Sequence, residues 1–179
     1  MCGIAGYFNP DQNYAENPKQ NFHTLSRMIN TMNHRGPDTY GHTIINSCCL
    51  AHTRLSIIDL ENGRQPMSYT KDGNTYYIVY NGEIYNYKEV KKTLLRKNHT
   101  FETNSDTEVI IAAFCHYGPG FVKELNGIFA IAIYDSMRNT LYLYRDRFGV
   151  KPLYYTKTGD TLVFASRIDT LFEYPRVRP

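Results

Sequence analysis

The apolar residues of this chain switch between strand-like runs and helical spacing. Ile4, Ala5, Gly6, Tyr7 and Phe8 form an unbroken run that reads as a buried strand. NPDQNYAENP (9–18) is polar, with a proline near each end, and reads as a loop. Phe22, Leu25, Met28, Ile29 and Met32 then fall on one helical face, which predicts an amphipathic helix over 19–33. Gly36 and Pro37 in HRGPD (34–38) end it. Strands are expected at 40–46 and 49–54, and a turn at Asp72-Gly73 leads into a third, YYIVY (76–80). Helices are expected at 87–97 and 105–117, the second opened by Ser105 and Glu108 at capping-box spacing.

The last third changes character. Strands read at 128–134, 140–145, 152–156 and 161–165, joined by short turns such as Thr158-Gly159-Asp160. Short turns imply antiparallel hairpins. Yet IFAIAIY and LYLY are nearly continuous in apolar residues, and a strand apolar on both faces is covered on both. Antiparallel sheets covered twice imply two stacked sheets with helices outside, an α+β layered sandwich. A length of 179 residues suits one such domain.

Composition narrows the function classes. The net charge of +3 is too small to argue for nucleic acid. The densest basic stretch, KKTLLRK, with Lys91, Lys92, Arg96 and Lys97, reads as the solvated face of a helix. No apolar run approaches the roughly 18 residues of a membrane span. The N-terminus lacks a basic region followed by an apolar stretch, so no secretory signal is read and a cytoplasmic location is expected. Four cysteines show no C-x-x-C pairing, and no metal site is expected. Cys48 and Cys49, flanked by apolar residues, read as buried thiols in a reducing compartment, and Cys115, on an apolar helix, as core. Only Cys2 has a position that packing does not explain.

If Met1 is removed, Cys2 carries its own α-amine. An α-amine has a pKa of about 8 and a free thiol about 8.5, so one residue can supply both nucleophile and general base. Arg54, in LAHTRLSIIDL (50–60), ends one apolar strand just before another apolar run, and a guanidinium in that setting pairs with a carboxylate bidentately. Asn81 and Gly82, in YNGEIYNY (80–87), close the strand YYIVY. An amide side chain beside a glycine N–H there can form an oxyanion hole. Asn-Gly alone is equally the commonest turn dipeptide.

Taken in order, MCGIAG, HRGPD, LAHTRLSIIDL with QPM, YNGEIYNY, SDTEVI, LNGIFAIAIYD and RDRFGVKPLYY resemble the class II glutamine amidotransferase domain, an N-terminal nucleophile (Ntn) hydrolase, over nearly the whole chain. YNGEIYNY and GVKPLYY look most like the glutamine-hydrolysing asparagine synthetases. The resemblance implies a four-layer αββα sandwich. It also implies that Cys2 attacks the glutamine side-chain amide with its α-amine as base, while Asn81 and the Gly82 N–H stabilise the oxyanion. Arg54 would take the α-carboxylate. Asp106, helped by Glu83, would hold the α-ammonium, and backbone groups of Leu55, Ser56, Ile57 and Ile58 would line the pocket. Asp106 also suits a helix N-terminus by charge alone.

The resemblance further implies that residues 1–179 are the glutaminase domain, needing no cofactor. ATP and Mg²⁺ would belong to a synthetase domain, absent from this chain, which accepts the ammonia. L-glutamine is the expected small-molecule partner, with no nucleic acid and no membrane, and a homodimer stays open. So do two rival readings: the same domain serving another acceptor, and a module that binds glutamine without turnover. RDRFGVKPLYY, with Asp146, Arg147 and Lys151, reads as a salt-bridged corner near the site, and HRGPD as a loop helping to cover it. At FASRID the family often has glutamate at the Arg167 position and lysine at Asp169, a departure remote from the pocket motifs.

Overall fold

The computed structural model describes residues 2–37, 39–54 and 63–178. Strands β1 (Gly3–Phe8), β2 (Thr39–Ile45), β3 (Cys48–Arg54), β8 (Tyr154–Thr158) and β9 (Thr161–Ala165) form one antiparallel sheet in the order β2-β3-β1-β9-β8. Strands β4 (Met67–Lys71), β5 (Asn74–Ile84), β6 (Gly127–Asp135) and β7 (Thr140–Arg145) form a second, in chain order. The helices are α1 (Pro18–Met32), α2 (Tyr87–Leu95), α3 (Asp106–Tyr117) and the short α4 (Ile168–Leu171). None is long and apolar enough to cross a membrane.

Strand alternation sorts the core into three layers. Ala5, Tyr7, Cys49, Ala51 and Val163 face α1 and pack on Leu25, Met28, Ile29 and Met32. Ile78, Tyr80, Ile131 and Ile133 face α2 and α3 and pack on Leu94, Val109, Ala112 and Phe114. Between the sheets, Ile4, Cys48, Leu50, Val79, Ala130, Ala132, Tyr134 and Phe164 close the interior. Successive side chains of a strand point to opposite faces, so each central strand feeds two layers at once. That is why β1, β3 and β6 read as continuous apolar runs, and the result is the expected αββα sandwich.

Several elements differ from the sequence reading. β5 does not stop at Tyr80 but runs through Asn81 and Gly82 to Ile84, paired with β6 throughout. Asn-Gly is here a strand dipeptide, and a side chain at Gly82 would sit 2.2 Å from the Ile128 carbonyl, so close strand packing demands glycine. β4, sequence MSYTK, is an edge strand too polar to stand out. β7 is also an edge and only half-buried, yet LYLY is covered on both faces as expected, with Leu141 and Leu143 packed on the inter-sheet layer and Tyr142 and Tyr144 on the helix side. β8 begins at Tyr154, two residues later than expected, because Lys151 still belongs to the preceding corner.

At α3 only half of a capping box forms. The Ser105 side chain accepts from the Thr107 N–H at 3.1 Å, but Glu108 turns upstream to the N–H groups of Glu102 and Thr103 (2.8 and 2.7 Å). Cys48 and Cys49 are buried as read, and burial pushes the Cys49 thiol up to about 12. Cys115 is half-buried rather than core.

Candidate active site

The interior layer between the sheets opens at one end into a cavity of about 280 Å³ lined by Cys2, Arg54, Asn81, Gly82, Glu83 and Asp106, together with His52, Gln65, Tyr80, Thr107 and Lys151. Register explains the gathering. Ile4 faces the inter-sheet layer, and Cys2, two residues earlier, keeps that face. Leu50 faces the same layer, so His52 and Arg54 follow it along β3. Val79 does so from the opposite sheet, so Asn81 follows it along β5. Tyr80, on the other face of β5, is carried instead toward α3, where its hydroxyl donates to Asp106 Oδ2 at 2.9 Å.

The chain start is tied down from outside. Arg35 Nε donates to the Cys2 carbonyl at 3.2 Å. Pro37 bridges to Arg54, and a side chain on Gly36 would meet the Arg54 nitrogen at 2.5 Å. Arg35, Gly36 and Pro37 therefore clamp the first residues against the end of β3, a firmer role than the covering loop expected, while Asp38 lies outside the described residues. The other charged stretch does lie near the site, with Lys151 lining the cavity, but its carboxylate is held differently from expectation. Asp146 accepts four backbone N–H bonds, from Phe129 (3.2 Å), Phe148 (3.1 Å), Val150 (2.9 Å) and Lys151 (3.0 Å). Among the described residues, the Asp146 carboxylate is held by amide donors and not by the salt bridge expected of it.

Electrostatics differ residue by residue. Burial raises the Asp106 carboxyl above its ordinary range, although the Tyr80 hydroxyl and nearby backbone N–H groups, including that of Thr107, pull the other way. Burial, with Arg54 close by, pushes His52 down to about 4, against a backbone hydrogen bond to Tyr80 that favours the charged ring. The cavity thus holds a neutral imidazole at neutral pH. Asn81 is 3% exposed, and its Nδ2 is buried with no hydrogen-bond partner among the described residues. A buried amide donor left unpaired costs about 1–3 kcal/mol, so it marks a place where a ligand acceptor belongs.

Of the residues predicted from sequence, Cys2, Arg54, Asn81, Gly82, Glu83 and Asp106 come together. Leu55, Ser56, Ile57 and Ile58 lie outside the described residues. His52, Gln65, Tyr80, Thr107 and Lys151 were missed. His52 had a signal, since it sits two residues before Arg54 on the same strand face. Lys151 was placed with its corner near the site but given no role, and the Asp146 carboxylate five residues earlier, accepting its N–H at 3.0 Å, holds that corner.

Two sheets facing one another, helices outside, and a cysteine at the head of a central strand facing an unpaired amide define the N-terminal nucleophile class. Residues 1–179 match the family model described as a glutamine amidotransferase domain, and the chain belongs to that family. It is similar to asparagine synthetase [glutamine-hydrolyzing] 3 of Bacillus subtilis, 40% identical over 99% of this chain and 28% of that protein. It is also similar to asparagine synthetase [glutamine-hydrolyzing] 2 of the same organism (45%, covering 98% and 23%). Asparagine synthetase B [glutamine-hydrolyzing] of Escherichia coli is 40% identical over 91% of this chain and 28% of that one. The chain thus spans about a quarter of the length of these curated relatives. A solved glutamine phosphoribosylpyrophosphate amidotransferase of B. subtilis shares the fold, with a TM-score of 0.69 at 19% identity over 94% of this chain and 42% of that one.

Proposed function

We propose that this domain hydrolyses the side-chain amide of L-glutamine on Cys2. The observation that carries the reading is the buried, unpartnered Asn81 Nδ2 in the same cavity as the Cys2 thiol. The thiol passes its proton to the Cys2 α-amine and the sulfur attacks the amide carbon. The developing oxyanion takes Asn81 Nδ2–H and the Gly82 N–H, donors fixed before the reaction begins. Collapse returns the amine's proton to the leaving nitrogen, releases ammonia and leaves a γ-glutamyl thioester. Water then attacks the thioester, giving glutamate and restoring the thiol.

Glutamine is a zwitterion, and the cavity offers cations at Arg54 and Lys151 and carboxylates at Asp106 and Glu83, of which Arg54 would take the α-carboxylate and Asp106 the α-ammonium. That complementarity selects an amino acid, and the cavity of about 280 Å³ lies just below the roughly 300–1,000 Å³ range of drug-sized small-molecule sites. Leu55 to Ile58 would supply backbone contacts to the substrate. The domain would work without metal or cofactor, in the cytoplasm.

The relatives named as glutamine-hydrolysing asparagine synthetases support a destination for the ammonia. It would pass to activated aspartate in a synthetase domain that binds ATP and Mg²⁺. The test adds glutamine alone to this chain, then glutamine with aspartate, ATP and magnesium. Ammonia in both and asparagine in neither is the expected result. No ammonia above the uncatalysed background would reject the glutaminase.

A further inference from the structure

Gln65 is a cavity residue to which neither the proposed reaction nor the family match gives a role. β4 begins at Met67, which pairs with Ile78, so the edge of β5 loses its backbone partner beyond that point. The Tyr80 N–H is the next donor along that edge, and a backbone N–H inside the fold must find an acceptor. Gln65 Oε1 accepts it at 2.6 Å. The other end of the same amide, Nε2, donates to Thr107 Oγ1 at 3.2 Å. The Gln65 backbone is itself packed tightly against β2, where a side chain on Gly41 would lie 2.0 Å from its carbonyl oxygen.

We infer that Gln65 is the positioning residue that sets the distance between the oxyanion donor and the ammonium anchor. One amide fixes Tyr80, the neighbour of Asn81, and Thr107, the neighbour of Asp106. The Tyr80 hydroxyl on Asp106 closes the ring from the other side. The two halves of a zwitterionic substrate are thereby held in one frame: its amide end through β5, its ammonium end through α3. The inference rests on the glutaminase reading given above.

The two ends predict different kinetic signatures. Gln65→Met keeps the length and removes both hydrogen bonds. It should lower kcat about tenfold or more, since a misplaced reacting group can cost up to about 10²-fold, and should also raise KM. Thr107→Val, buried and isosteric, cuts only the link to α3, so KM rises while kcat stays near the parent value. Gln65→Glu keeps an acceptor for the Tyr80 N–H and should recover most of the kcat lost in Gln65→Met.

The deciding measurement is ammonia release by this chain for parent, Asn81→Ala, Gln65→Met and the double variant, with thermal unfolding run alongside. If Gln65 acts through Asn81, its effect on kcat largely disappears in the Asn81→Ala background. Additive losses, or a Gln65→Met kcat within twofold of the parent, overturn the inference. Should Gln65→Met fail to fold, Gln65→Glu and Thr107→Val decide, and a Gln65→Glu kcat as low as that of Asn81→Ala overturns it. A parent-like kcat in Asn81→Ala would instead reject the reading of the site itself, so the two failures are told apart.

Discussion

The hydroxyl of Tyr80 donates to the carboxylate of Asp106 at 2.9 Å, joining the strand that presents Asn81 to the first residue of α3. Asp106 is thus held by a neutral donor, and burial keeps its carboxyl above the usual range. An acid whose folded pKa is raised favours folding when protonated. That contribution is complete below the ordinary carboxylate pKa and is lost as pH rises through the raised value. At neutral pH the ionised group opposes folding.

Asp106→Asn should therefore unfold at a higher temperature than the parent at neutral pH, the Tyr80 bond being kept by the amide oxygen. It should also bind glutamine worse, with KM up by about 10–100-fold for the loss of a charged hydrogen bond. In the parent, glutamine binding should fail on acidification at a higher pH than an ordinary aspartate would set. Calorimetry and a KM–pH profile check both, and a variant both less stable and fully active would remove Asp106 from the site.

Asn81→Ala and Arg54→Ala should separate cleanly. Losing an oxyanion donor costs about 10²–10³-fold in kcat. Losing the carboxylate contact, made in ground state and transition state alike, falls on KM. Steady-state kinetics on glutamine decides, and interchanged effects would reverse the two assignments.

Cys2→Ala should abolish ammonia release and leave the fold intact, because Cys2 is half-buried and stands ahead of β1. Cys115→Ala should retain activity, as should Cys48→Ala and Cys49→Ala with some loss of stability from their buried positions. Intact-mass measurement on active protein should find Met1 missing, since a Met1-bearing chain has an amide nitrogen where the base is needed. Full activity from a homogeneous Met1-bearing sample would remove the α-amine from the mechanism.

Asp146→Ala should destabilise the domain by about 2–4 kcal/mol, because four backbone donors lose one buried acceptor. Burial alone would raise this carboxyl. The N–H groups of Lys151, Val150, Phe129 and Phe148 outweigh it and hold the group below the ordinary range. The stability it confers is present above the ordinary carboxylate pKa and is lost as pH falls through the depressed one. Parent and variant should accordingly converge in stability at strongly acid pH, which denaturant titrations at two pH values would show.

The sequence disclosed most where one periodicity acts alone. Helices α1, α2 and α3 and strands β1 to β3 stand within a few residues of expectation, since each has an apolar face or an apolar run of its own. It failed where a partner far along the chain decides the outcome. Asn81-Gly82 is a turn by local preference but a strand by its pairing with Phe129 and Ala130. Glu108 left the expected cap for the upstream N–H groups of Glu102 and Thr103. In the candidate site, charge and motif picked out Cys2, Arg54, Asn81 and Asp106. Gln65 and Tyr80 work through hydrogen bonds to neighbours, which no spacing pattern records.

Cys2 stands at the head of a strand in one sheet and Asn81 lies in the other, and no short backbone segment joins them. The gap that a substrate carbonyl must bridge is therefore gauged by the side chains stacked between the sheets. Ala130, the register partner of Asn81, is one of the smallest of these spacers. A bulkier residue there would act as a wedge, displacing the nucleophile and costing about 1–3 kcal/mol of stability. Hydrostatic pressure would press in the opposite sense. The reach of the thiol in this fold is set by the thickness of its hydrocarbon interior.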